Sequence, residues 1–154
     1  MKGGARGREW LASHLPHRGA MSLLDEVVAW DAERLHARAR SHGAPDHPLR
    51  RGGALPIASA IEYGAQAAAA HGALLDEASP APRAGFIAAV RSVEFGASRL
   101  DDVAGPLEIE VERAGEGAGG VLYAFRVSAA GRMLAQGRVT IVLDAALVAA
   151  EPRP

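Results

Sequence analysis

Residues 56–75 read PIASAIEYGAQAAAAHGALL, and the fold turns on this stretch. Pro56 stands where a missing N–H costs a helix least. Ile57, Ile61, Ala65, Ala68, Ala69 and Gly72 follow at helical spacing and predict one apolar stripe. The stripe is mostly Ala and Gly, so a neighbouring element can come close to the helix axis.

Outward from this helix the pattern turns to strands. Downstream, beyond Pro80 and Pro82, four strand candidates cover 84–95, 106–113, 121–129 and 132–143. Gly117, Gly119 and Gly120 mark one hairpin, and Ala130-Gly131 marks another. Upstream, Met21–Trp30 suits a strand. In 34–41, Leu35, Ala37 and Ala39 alternate with His36, Arg38 and Arg40, the mark of a half-buried strand. Residues 9–14 allow one short helical turn before Pro16, and 42–55 form a loop with no periodicity. One helix cannot cover both faces of a parallel sheet, so the order predicts an α+β fold, an antiparallel sheet wrapped around one long helix. A single domain over 8–146 is expected, with 1–7 and 147–154 as tails.

Composition bounds the function. The 154 residues suit one domain. Lys+Arg 17 against Asp+Glu 18 gives a net charge of −1, which lacks the basic footprint of a general nucleic-acid binder. With no cysteine, disulfides, zinc–thiolate sites and cysteine nucleophiles are excluded. No apolar run approaches the roughly 18 residues of a membrane span. The opening MKGGARGREW has no apolar signal core. A cytoplasmic protein without a membrane partner is the expectation.

Two segments carry a family resemblance. Leu15-Pro16-His17-Arg18 leads into Met21, Leu23, Leu24, Asp25 and Val27. This resembles the L-P-H-R-x-P and L-L-x-D-x-V opening of the β-hydroxyacyl–acyl-carrier-protein dehydratases. His47-Pro48, Leu55-Pro56 and then Ile61-Glu62-Tyr63-Gly64-Ala65-Gln66 resemble that family's H-F-P, M-P-G and E-A-M-A-Q run. Pro48 follows His47 directly, His47 lies one residue further from Pro56 than is usual, and Ile57 replaces the family's glycine. Tyr63 and the alanines after it are similar to the divergent dehydratases of aryl polyene gene clusters. The resemblance implies a hot-dog fold, commonly dimeric.

It also implies chemistry. His47 would remove the C2 proton of a 3-hydroxyacyl thioester, and protonated Glu62 would serve the departing C3 hydroxyl. Amides at Ile57 and Ala58 would polarise the thioester carbonyl. Gln66, at i+4 from Glu62, could orient its carboxyl, and Phe86 would line the acyl site. His42 is the substitute base if the loop register has moved, and His17 and Arg18 suit a structural corner. Arg50, Arg51, Arg83, Arg91 and Arg99 are candidates for contact with an acyl carrier protein or a coenzyme A thioester. No cofactor or metal is required, and Gly52-Gly53 lacks the Lys-Ser/Thr of a phosphate loop. A thioesterase using Glu62, or a non-catalytic acyl-thioester-binding subunit, is the alternative.

Overall fold

The computed structural model describes residues 4–15, 19–76, 86–117 and 119–142. Pro16, His17, Arg18 and Arg83 fall outside them, as does the expected tail 147–154. The elements are α1 (Arg8–His14), β1 (Glu26–Trp30), β2 (Arg34–Ala39), α2 (Ala60–Leu75), β3 (Phe86–Phe95), β4 (Leu107–Gly117), β5 (Gly120–Ala129) and β6 (Arg132–Val142). The six strands form one sheet in the order β1-β2-β4-β5-β6-β3, with every pairing antiparallel. This is the hot-dog arrangement, a sheet wrapped around one central helix. No helix among the described residues is long and apolar enough to cross a membrane.

The hairpins sit where glycine marks them. Ala129 pairs with Arg132 across a two-residue turn, with φ +50° at Ala130 and +79° at Gly131. Such a turn follows the strands' own twist. Leu35, Ala37 and Ala39 are buried and His36 and Arg38 lie on the other face of β2, as the alternation predicts.

α2 departs from the predicted stripe. Ile57, Ile61 and Gly72 are only partly buried, while Ala60, Tyr63, Ala67, Ala68, Ala70 and His71 are fully enclosed. A helix surrounded by sheet buries most of its circumference, so small residues on several sides go inside. The close approach is real at Gly64, where an added Cβ would stand 2.8 Å from the Phe125 ring on β5.

Two boundaries also move. The first strand begins at Glu26, because Leu23 is held by the Gln66 side chain of α2. Arg6 lies within the expected N-terminal tail, yet it forms a bridge to Val27 with both backbone hydrogen bonds, 2.9 and 2.8 Å.

Candidate functional site

The loop between β2 and α2 folds back against the helix and buries two histidines. Its opening turn, Ser41–Gly43, carries His42. The Nε2 of His42 donates to the Val103 carbonyl at 3.0 Å, while its buried Nδ1 has no hydrogen-bond partner among the described residues. His47 is 5% exposed, with Nε2 3.1 Å from the Tyr63 hydroxyl on α2. Tyr63 in turn lies 2.7 Å from Ser41 Oγ, which donates to the Leu23 carbonyl at 2.8 Å. On the other side of the ring, the Leu49 N–H donates to His47 Nδ1 at 3.1 Å. The extra residue before Pro56 therefore does not detach His47 from the helix.

Burial disfavours the charged form of both His47 and Tyr63. Burial lowers the proton affinity of His47, and Arg50 and His42 lower it further against a smaller opposing effect of Asp46. Burial pushes the Tyr63 hydroxyl up to about 12, so Tyr63 holds its proton at any ordinary pH.

The loop is braced from the segment after β3. Asp101 accepts the Leu55 N–H at 2.8 Å and the Arg99 guanidinium at 3.0 and 2.5 Å. Arg99 and the Leu55 amide together hold its carboxyl well below the usual range. Arg50 caps the carbonyls of Ala44 and Gly53 at 3.0 and 2.9 Å. Arg50 thus ties the loop to itself, while Arg99, expected with it as a contact for a carrier, pairs with Asp101 in the segment after β3. No local motif announces Asp101 or Ser41, since both act across the fold.

Two expected roles need correction, those of Gln66 and of the Ile57 amide. Gln66 does not turn to Glu62: its Nε2 donates to the Met21 carbonyl at 2.7 Å and its Oε1 accepts the Leu23 N–H at 3.0 Å. It staples α2 to the segment before β1. The Ile57 N–H is taken by the Ser98 carbonyl at 3.2 Å, which leaves exposed Ala58 as the remaining expected amide. Glu62 lies in the first turn of α2, is only partly buried, and has no hydrogen bond to His47 among the described residues. Phe86 opens β3 opposite Val142.

Similar architecture occurs in a chain of the dehydratase heterocomplex ApeI:P from Xenorhabdus doucetiae. That match has a TM-score of 0.75 at 21% identity and covers 92% of this chain and 97% of that one. Zebra fish thioesterase superfamily member 2 matches with a TM-score of 0.59 at 14% identity, over 88% and 91%. AziG from S. sahachiroi matches at 0.53 and 21%, over 79% and 90%. At such identities these likenesses speak for the hot-dog fold. No curated protein matches the sequence. The ApeP dehydratase family model spans residues 10–149, a range that holds both the His47 loop and α2. The chain belongs to the ApeP-like family of dehydratases.

Proposed function

We propose that the substrate is a 3-hydroxyacyl thioester, carried on phosphopantetheine and dehydrated to the trans-2-enoyl thioester, with His47 and Glu62 at the reacting carbons. The observation that supports this reading is the bond from His47 to Tyr63, which fastens the loop imidazole to the helix that carries Glu62. The reaction moves a proton and a hydroxide and calls for no redox group or metal. Arg51 and Arg91, both exposed, are left to meet an acidic carrier protein.

We infer further that each site is shared between two subunits. Within one chain His47 and Glu62 are not bonded to each other. β3 ends the sheet with Val90 and Phe95 exposed at 40% and 46%, an open edge of the kind that pairs with another chain. The partner is a second copy, or a different chain, since the X. doucetiae match belongs to a heterocomplex.

The test is incubation with 3-hydroxyacyl and 2-enoyl thioesters of coenzyme A and of a carrier protein. Interconversion is expected. Release of free thiol would make the protein a thioesterase, and inertness toward all four would make it a binding subunit. Mixing His47→Ala with Glu62→Gln subunits tests sharing. With random exchange of a homodimer, about a quarter of the parent activity should return, and none returns if each site lies within one chain.

A further inference from the structure

The loop that carries His47 is bonded to itself as one unit. The His47 N–H donates to the Ala44 carbonyl at 3.2 Å, and the His47 carbonyl accepts the Arg50 N–H at 3.1 Å. The Arg50 guanidinium returns to that same Ala44 carbonyl at 3.0 Å and to the Gly53 carbonyl at 2.9 Å. Whatever fixes the ends of this unit therefore fixes His47. Residues 98–103, after β3, hold both ends. The Val103 carbonyl takes the His42 Nε2–H at the opening turn. At the far end the Leu100 N–H donates to the Leu55 carbonyl at 2.8 Å, and the Ser98 carbonyl accepts the Ile57 N–H at 3.2 Å. The Leu55 N–H goes to the Asp101 carboxylate at 2.8 Å.

From residues 98–103, Asp101 is the one side chain in these bonds, and it reaches the loop at two points. Its Oδ1 accepts the Leu55 N–H, and its Oδ2 lies 4.0 Å from Nη1 of Arg50, the guanidinium that ties the loop together. The fork of Arg99, at 3.0 and 2.5 Å, keeps the carboxylate in this orientation. The Asp101 side chain is 8% exposed and that of Arg50 21%, so water and salt screen the pair less than a surface pair. The segment is itself anchored to the sheet. The Gly96 N–H donates to the Leu134 carbonyl at 2.8 Å, and a Cβ at Gly96 would stand 2.3 Å from the Met133 carbonyl oxygen. A line of contacts thus runs from β6 through Gly96 to Asp101, then through Arg50 and the Ala44 carbonyl to the His47 N–H.

Resting on the dehydratase reading above, we propose that Asp101 is a positioning residue for His47, holding the loop at the Leu55 amide and at Arg50 and so setting where the imidazole stands in the reaction. Asp101 makes no hydrogen bond to His47 among the described residues and acts on it through the loop alone. A misplacement of about 1 Å far from the chemistry can cost about 10²-fold in rate. A merely structural carboxylate would behave otherwise: its loss would weaken the fold and leave turnover per folded molecule unchanged.

Two substitutions and two readouts test this. Asp101→Ala is expected to lower kcat by about 10²-fold and to leave KM within about threefold of the parent. Asp101→Asn keeps an oxygen for the Leu55 N–H but no charge for Arg50, and is expected to stay within about tenfold of the parent kcat. Amide hydrogen exchange of the substrate-free protein is the readout independent of activity. In Asp101→Ala the amides of residues 43–55 should exchange about tenfold faster, with those of α2, β4, β5 and β6 unchanged. If Asp101→Ala does not fold, Asp101→Asn carries both readouts, with smaller changes confined to the same loop. A kcat of folded Asp101→Ala within about threefold of the parent, a rise in KM alone, or protection lost equally from the loop, α2 and the sheet would overturn the proposal. Should the parent dehydrate no thioester while the loop of Asp101→Ala still loses protection, the dehydratase reading falls, and the hold of Asp101 on the His47 loop stands.

Discussion

Among the described residues two buried histidine–tyrosine pairs occur, and they are wired in opposite senses. His71, on α2, is wholly buried. Its Nε2 donates to the Asp31 carbonyl at 2.8 Å, which leaves Nδ1 to accept from the Tyr123 hydroxyl at 2.8 Å. Those rings meet edge to face, with centroids 5.6 Å apart at 89°. At the other pair, tyrosine accepts from histidine, and the rings are tilted at 38° with centroids 6.2 Å apart. Both nitrogens of His71 end on groups inside the fold, which makes it a cross-brace between α2, β5 and the turn after β1. His47 sits on a loop: Ser41 donates its proton to the Leu23 carbonyl, so Tyr63 gives its own to Ser41 and accepts the His47 Nε2–H. Burial and a tyrosine partner are common to both. The direction of the hydrogen bond and the element that carries the ring, helix or loop, separate the two.

The sharpest way to break this contrast is to remove Glu62, the acid–base group proposed above. Glu62→Gln keeps shape and should lower turnover by about 10²–10⁴, about 3–5 kcal/mol of barrier, with an unchanged melting temperature. Activity within about threefold of the parent would take Glu62 out of the reaction.

His71→Ala should do the reverse. It opens a cavity and leaves the Tyr123 hydroxyl and the Asp31 carbonyl unpaired, a loss of about 2–4 kcal/mol measurable by denaturant unfolding. Turnover per folded molecule should not change. Trimming each tyrosine is gentler. Tyr123→Phe leaves His71 Nδ1 buried without a donor and should cost about 1–3 kcal/mol. Tyr63→Phe should cost less in stability and show itself in kcat. Equal destabilisation with equal loss of kcat in both variants would erase the distinction.

Much of the fold was legible in the sequence because it is written in local chemistry. The alternation of Leu35, Ala37 and Ala39 assigns the inner face of β2, and Ala130-Gly131 marks a turn with two positive φ angles. The phase of α2 was not legible. Small residues occur all round it, so periodicity cannot distinguish the Ile57 and Ile61 side from the Tyr63 and His71 side. Of the candidate site, His47 and Glu62 are pointed to by the family resemblance rather than by any local pattern. Ser41, Asp101 and the Tyr63 hydroxyl act through contacts between separate segments, and no local pattern encodes them. Gln66 shows the hazard of i+4 arithmetic. A buried amide goes to whichever backbone groups lack partners, here those of Met21 and Leu23.

The smallest expected effect is the most specific to His71. Burial depresses its proton affinity below the ordinary value of 6.5, against an opposing hydrogen bond to the Asp31 carbonyl. The unfolded chain therefore binds a proton near pH 6.5 that the folded chain refuses. Stability from this group is present above that pH and is lost as pH falls from about 6.5 toward the depressed folded value. His47 is shifted in the same direction and adds the same sign. In that window one such group contributes a slope of at most about 1.4 kcal/mol per pH unit. His71→Gln isolates its share, because the glutamine oxygen can accept from Tyr123 and its NH₂ can donate to Asp31 without titrating. Unfolding free energies at pH 7 and pH 5.5 should draw together in His71→Gln relative to the parent, with only a small loss at pH 7. If the pH dependence of the variant matches the parent's, His71 is not the group that resists protonation, and the acid sensitivity belongs to His47 and its loop.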